Sequence, residues 1–175
     1  MNNIPITSIF ASIFTIIYLF LSFRIGYLRG SPVMKLIFKM DDNEIEKNYQ
    51  SVEDDKYISQ IKFKKFYFEK LCNKISGFIN KDMNALEIGS YYGVLGSVLK
   101  DKVKNYSGLE LSTHGSNYAK KNFNLKIYNE TIESHLEKNI KYDLIIMADV
   151  MEHFNDPFKV LSQINKLLNE RGKLI

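Results

Sequence analysis

The stretch Ala85-Leu86-Glu87-Ile88-Gly89-Ser90-Tyr91-Tyr92-Gly93, continued by Val94-Leu95-Gly96-Ser97-Val98-Leu99, decides the fold. A short apolar run stops at a glycine, a compact turn follows, and apolar residues at helical spacing begin after Gly93. That order reads as strand, tight turn and helix. Glycine takes positive φ without steric cost and lets a ligand approach the backbone, and the next helix starts with N–H groups that lack intrahelical partners. Gly89 and Gly93 have that role here, although a purely structural turn would use the same residues.

Downstream, short apolar runs alternate with helical stretches, predicting strands near 84–88, 106–110, 125–128 and 142–148. A helix over 158–169, closed by Gly172, leads to a fifth strand starting at Lys173. Such alternation predicts an α/β fold, a Rossmann-like parallel sheet of about five strands with flanking helices. Right-handed crossovers collect ligands at the carboxyl ends of the strands, where strand order reverses. Upstream, Ile58, Ile61, Phe68, Leu71, Cys72, Ile75, Phe78 and Ile79 recur at spacings of three and four, predicting one amphipathic helix from Tyr57 to Asn80. A short helix is expected near 42–50.

The second strand, Tyr106-Ser107-Gly108-Leu109-Glu110, ends in a carboxylate 21 residues after Gly89. At that spacing an acidic side chain accepts hydrogen bonds from ribose hydroxyls. The competing account of Glu110 is a solvent-exposed or capping acid before Ser112. The fourth strand, Tyr142 to Ala148, runs into the polar cluster Asp149-Val150-Met151-Glu152-His153-Phe154-Asn155-Asp156-Pro157.

Together these segments resemble the class I, Rossmann-like S-adenosylmethionine-dependent methyltransferases, in particular the group with a Glu-Ile-Gly-Ser first motif and an Asp-Val-x-Glu-His fourth motif. The resemblance covers roughly residues 49–175. It implies that Glu87, Gly89, Ser90 and Gly93 hold the methionine part of S-adenosyl-L-methionine, with Tyr91 a further cofactor contact, and that Glu110 binds its ribose. It implies an adenine contact from the loop Glu130-Thr131-Ile132, with Thr131 the named candidate, and it places Asp149 and Val150 beside the methyl-bearing end. His153 matches the same motif, and packing of the following loop is its other reading. Tyr91 stands where the family commonly has the middle glycine, and its aromatic face suits a sulfonium cation. A dinucleotide fingerprint is absent, because Gly89, Gly93 and Gly96 are spaced four and three apart.

Methyl transfer from a sulfonium is an in-line displacement, so the protein mainly aligns and excludes water, and a base serves only when the acceptor must lose a proton. Asp149 and His153 are the candidate catalytic residues. The histidines at 114, 135 and 153 lie too far apart for a metal motif, and one cysteine, Cys72, permits no internal disulfide.

The net charge of +4 comes from 24 basic and 20 acidic residues, only three of them Arg, which argues against nucleic-acid recognition. Ile4 to Phe23 contains no charge and as a helix would span about 30 Å, one hydrocarbon core. We read residues 1–28 as a single-pass membrane anchor, 29–55 as a linker and 56–175 as a partial methyltransferase domain. A cleaved signal peptide, a buried soluble helix and a misassigned start are the competing readings. Arg24, Arg29, Lys35 and Lys39 follow the apolar run, which places the domain in the cytoplasm.

The family fold ordinarily continues for two strands beyond Ile175. The expectations are therefore threefold: an active enzyme whose missing strands come from a second chain, a truncated product of little activity, or a non-catalytic nucleotide-binding module. The acceptor class suggested by the resemblance is a small molecule, a lipid or a glycan.

Overall fold

A computed structural model describes residues 47–51 and 54–175. The apolar run Ile4–Phe23, and with it the expected membrane anchor, lies outside the described residues. Among the described residues no helix is long and apolar enough to cross a membrane.

Residues 47–50 are helical. Helix α1 (Asp55–Ser59) is capped by Asp54, whose Oδ1 accepts from the Tyr57 N–H, and α2 runs from Ile61 to Lys74. The single helix expected over 57–80 is therefore divided at Gln60 and stops at Lys74, followed by a 3-10 turn at Ser76–Phe78. The apolar spacing that suggested one helix reports a buried face, and two short helices on the same surface preserve it.

The alternation then proceeds as β1 (Asn84–Ile88), α3 (Val94–Leu99), β2 (Asn105–Leu109), α4 (Thr113–Phe123), β3 (Ile127–Tyr128), α5 (Ile132–Leu136), β4 (Tyr142–Ile146), α6 (Pro157–Leu167) and β5 (Leu168–Leu174). All five strands are parallel in the order β3-β2-β1-β4-β5. The third strand is two residues long rather than four. The fifth begins earlier than expected: Leu168 pairs with Tyr142, then the register shifts, and regular pairing resumes with Lys173 opposite Leu144.

One core on the first face joins Cys72 and Ile75 of the α2 region to Leu95, Val98 and Leu99 of α3 and Ala119 of α4. The opposite core joins Leu86, Ile88 and Ile145 to Ile132 of α5 and to Val160, Ile164 and Leu167 of α6. Both faces are thus covered, as a parallel sheet requires. Helix α6 starts cleanly because Asp156 Oδ1 accepts from the Lys159 N–H and Pro157 occupies the first turn. Strand order reverses between β1 and β4, so the crevice lies beyond their carboxyl ends.

Candidate functional site

Two loops meet at that crevice. After β1, Gly89 has φ of 74°, Tyr91 47° and Gly93 75°, and after β4 Asp149 has 53°. Tyr91 adopts the left-handed conformation despite its Cβ, a strain that tends to persist only where the surroundings impose it. A Cβ on Gly89 would lie 2.5 Å from Val150 Cγ2, so the side chain after Asp149 sits directly on the glycine turn. A Cβ on Gly93 would meet Ala119 Cβ at 2.6 Å and Leu125 Cδ1 at 2.7 Å, which draws α3 against α4.

Two carboxyl groups lie behind the turn. Glu110, just past β2, is buried; its Oε2 accepts from the Tyr91 N–H at 2.5 Å and its Oε1 from the Ser112 N–H at 2.6 Å. It therefore ties the glycine turn to the start of α4, and the Leu111 N–H is a third backbone donor to the same carboxylate. Burial raises the Glu110 pKa, opposed by these backbone hydrogen bonds. Glu87, buried on β1, accepts at 2.6 Å from the Tyr106 hydroxyl. Burial pushes its pKa up to about 8, with Tyr106 opposing and Glu110 adding to the rise. Ser90 is also buried, and its Oγ has no hydrogen-bond partner among the described residues. Backbone turn, buried acids and an unpaired hydroxyl suit a ligand with positive charge and several donors.

Tyrosines cover the turn. Tyr57 of α1 stacks on Tyr92 at 5.2 Å and meets Tyr91 edge-on at 4.7 Å. The Asp54 N–H donates to the Tyr92 hydroxyl at 2.7 Å, and the Tyr91 hydroxyl donates to Asp54 Oδ2 at 3.3 Å. Asp54 reads from sequence as linker and Tyr57 as the start of a helix, neither as part of the site, because nothing in local spacing announces a partner 38 positions away. The Tyr-Tyr pair in the turn was the only available signal. Tyr92→Phe keeps the stacking and removes the acceptor for Asp54. It is expected to cost about 1 kcal/mol and to speed amide exchange in α1 selectively; unchanged exchange there would show that the contact does not hold α1.

The candidate catalytic pair is separated in environment. Asp149 is exposed and lines a groove of about 520 Å³ with Gln60, Phe63, Lys64, Tyr67 and Phe68. His153, in the 3-10 turn Met151–His153, faces the Tyr49 ring at 6.1 Å and is not part of that lining. In the loop after β3, Thr131 caps α5 by accepting from the Ser134 N–H at 3.2 Å. Glu130 pairs with Lys138 at 2.8 Å and with His135 Nδ1 at 2.7 Å. Ile132 is buried in the core.

Fold and crevice define an α/β domain of Rossmann-like parallel-sheet topology in which the loops after β1 and β4 meet. The chain belongs to the methyltransferase domain family, whose model matches residues 60–175. Among solved structures it is similar to coclaurine N-methyltransferase bound to N-methylheliamine and SAH, at 21% identity and a TM-score of 0.54, over 63% of this chain and 34% of that one. A S-adenosylmethionine-dependent methyltransferase from Clostridium acetobutylicum is 24% identical with a TM-score of 0.54, over 63% and 48% of the two chains. One from Thiobacillus denitrificans, in complex with S-adenosyl-L-homocysteine, is 15% identical with a TM-score of 0.51, over 61% and 45%. These likenesses establish the fold. The chain spans 34–48% of the length of the three. Among curated proteins none matches.

Proposed function

We propose that this chain carries the cofactor-binding half of an S-adenosylmethionine-dependent methyltransferase acting on a small-molecule, lipid or glycan acceptor. The observation that carries the reading is the seating of Val150 on Gly89, with the Glu110 carboxylate tied to the same turn. When bound, the cofactor supplies an activated methyl group on a sulfonium. Glu87, Gly89, Ser90, Tyr91 and Gly93 would hold its amino-acid end, the unpaired Ser90 Oγ supplying a hydrogen bond. Glu110 would accept from the ribose hydroxyls, and Thr131 would lie toward the base. Asp149 and Val150 would flank the reacting methyl. Asp149 is the better-placed proton acceptor of the two candidates, because it lines the groove and His153 does not.

The apolar segment Ile4–Phe23 would anchor the chain as a single-pass membrane protein with the domain cytoplasmic.

Titration calorimetry with S-adenosylmethionine on the full chain tests the cofactor assignment. Glu110→Ala is expected to weaken binding by about 30-fold or more, the loss of a buried charged acceptor costing roughly 2 kcal/mol. A folded chain that binds no cofactor would overturn the reading. The competing role of Glu110 is to hold the turn against the start of α4, because both its oxygens already serve backbone N–H groups. Unchanged affinity in Glu110→Ala would support that role over ribose binding.

A further inference from the structure

Helix α2 carries the sequence Ile61-Lys62-Phe63-Lys64-Lys65-Phe66-Tyr67-Phe68-Glu69-Lys70-Leu71-Cys72-Asn73-Lys74, five lysines against one acid. Its inner side packs through Phe68, Leu71 and Cys72 into the first core. Its outer side is unusual for a helix on a soluble surface: Phe63 is 78% exposed, Phe66 59% and Tyr67 55%. These three stand at i, i+3 and i+4, so they form one patch. Lys62, Lys65, Lys70 and Lys74 are exposed around it, and Lys70 Nζ lies 4.5 Å over the Phe66 ring. Exposed aromatics ringed by lysine are the composition of a helix that lies in a bilayer interface, with the rings among the acyl chains and the ammonium groups at anionic headgroups.

We infer that the outer face of α2 docks on an anionic lipid bilayer. Charge complementarity favours that occupant over a second copy of this chain, because the patch would set four exposed lysines against four. Position along the chain agrees: the uncharged run Ile4–Phe23 ends 38 residues before Ile61, so a chain anchored there presents α2 near the same surface.

The consequence for substrate rests on the methyl-transfer proposal. Phe63 and Tyr67 belong both to the outer patch and to the lining of the Asp149 groove. A bilayer against α2 therefore meets the mouth of that groove, which selects an acceptor carried in the membrane, a lipid headgroup or a lipid-linked glycan, over a freely diffusing molecule.

The chain contains no tryptophan, so Phe63→Trp in the full-length protein introduces a single fluorophore at the patch. It is incorporated with vesicles of phosphatidylcholine alone or mixed with phosphatidylglycerol, each with brominated acyl chains. The expected result is a blue shift and about a twofold loss of emission with the anionic vesicles, sharply reduced when Lys62, Lys65 and Lys70 are changed to Glu, since each lysine at an anionic surface contributes roughly fivefold in partitioning. Emission unquenched on both vesicles, in protein that sediments with them, overturns the proposal. Emission already blue-shifted without lipid and untouched by bromine also overturns it, in favour of the chain's own residues 1–46 or a second copy on the patch. Quenching is read without cofactor or acceptor, so its failure is distinct from a failure of methyl transfer, which calorimetry with S-adenosylmethionine reads separately.

Discussion

Gly89→Ala is expected to abolish detectable cofactor binding and to destabilise the domain by about 2–4 kcal/mol. Two independent effects add. The residue has φ of 74°, where a Cβ is strained, and the Cβ would lie 2.5 Å from Val150 Cγ2. The loop after β4 can escape only by lifting off the turn, which separates the two halves of the crevice. Val150→Ala in the same chain removes the 2.5 Å contact, keeps its own Cβ 3.0 Å from the new one, and leaves the backbone strain. The double variant should therefore recover about half of the lost stability while binding stays weak. Thermal unfolding and calorimetry on both variants check this. Wild-type melting and affinity in Gly89→Ala would mean that the loops do not share a site.

The second large effect is electrostatic. Glu87 has its pKa pushed from 4.5 to about 8, chiefly by burial. Below pH 4.5 the carboxyl is protonated in folded and unfolded chains alike, and its burial carries no titration penalty. Between 4.5 and 8 the unfolded chain binds fewer protons than the folded one, so stability falls as pH rises, and the loss is complete above about 8. A shift of this size corresponds to about 5 kcal/mol at most. Glu87→Gln should remove that slope. The amide oxygen still accepts from Tyr106, while the carboxylate's second donor, the Gly96 N–H, faces an amide NH₂. That mismatch offsets about 1–2 kcal/mol of the gain. Denaturant unfolding at pH 5, 6.5 and 8 would show the variant level with or behind the wild type at pH 5 and ahead of it at pH 8. Parallel profiles would mean that Glu87 ionises freely in the folded state.

The elements around the crevice were legible because their signals are local. Gly89 and Gly93 stand at a strand-to-helix turn, and Glu110 ends the next apolar run at a readable distance. Boundaries were less legible. Gln60 interrupts a continuous apolar spacing, and β5 starts at Leu168 with a register shift that pairing with β4 imposes. His135 carried no sequence signal beyond its isolation. It is fully buried, with Nδ1 2.7 Å from Glu130 and Nε2 2.8 Å from the Tyr142 hydroxyl, a polar link between α5 and β4.

By itself the sequence determined the α/β alternation, the glycine turn and the carboxylate that follows it, because strand period, helix period and positive-φ turns are properties of neighbouring residues. Only the tertiary structure decided that Val150 closes on Gly89, that Tyr57 and Asp54 cover Tyr91 and Tyr92, and that Asp149 rather than His153 faces the groove. It also decided that Glu87 is an acid held near neutrality. Those contacts join residues dozens of positions apart, and what selects them is the packing of whole helices on both faces of the sheet, which no local period encodes.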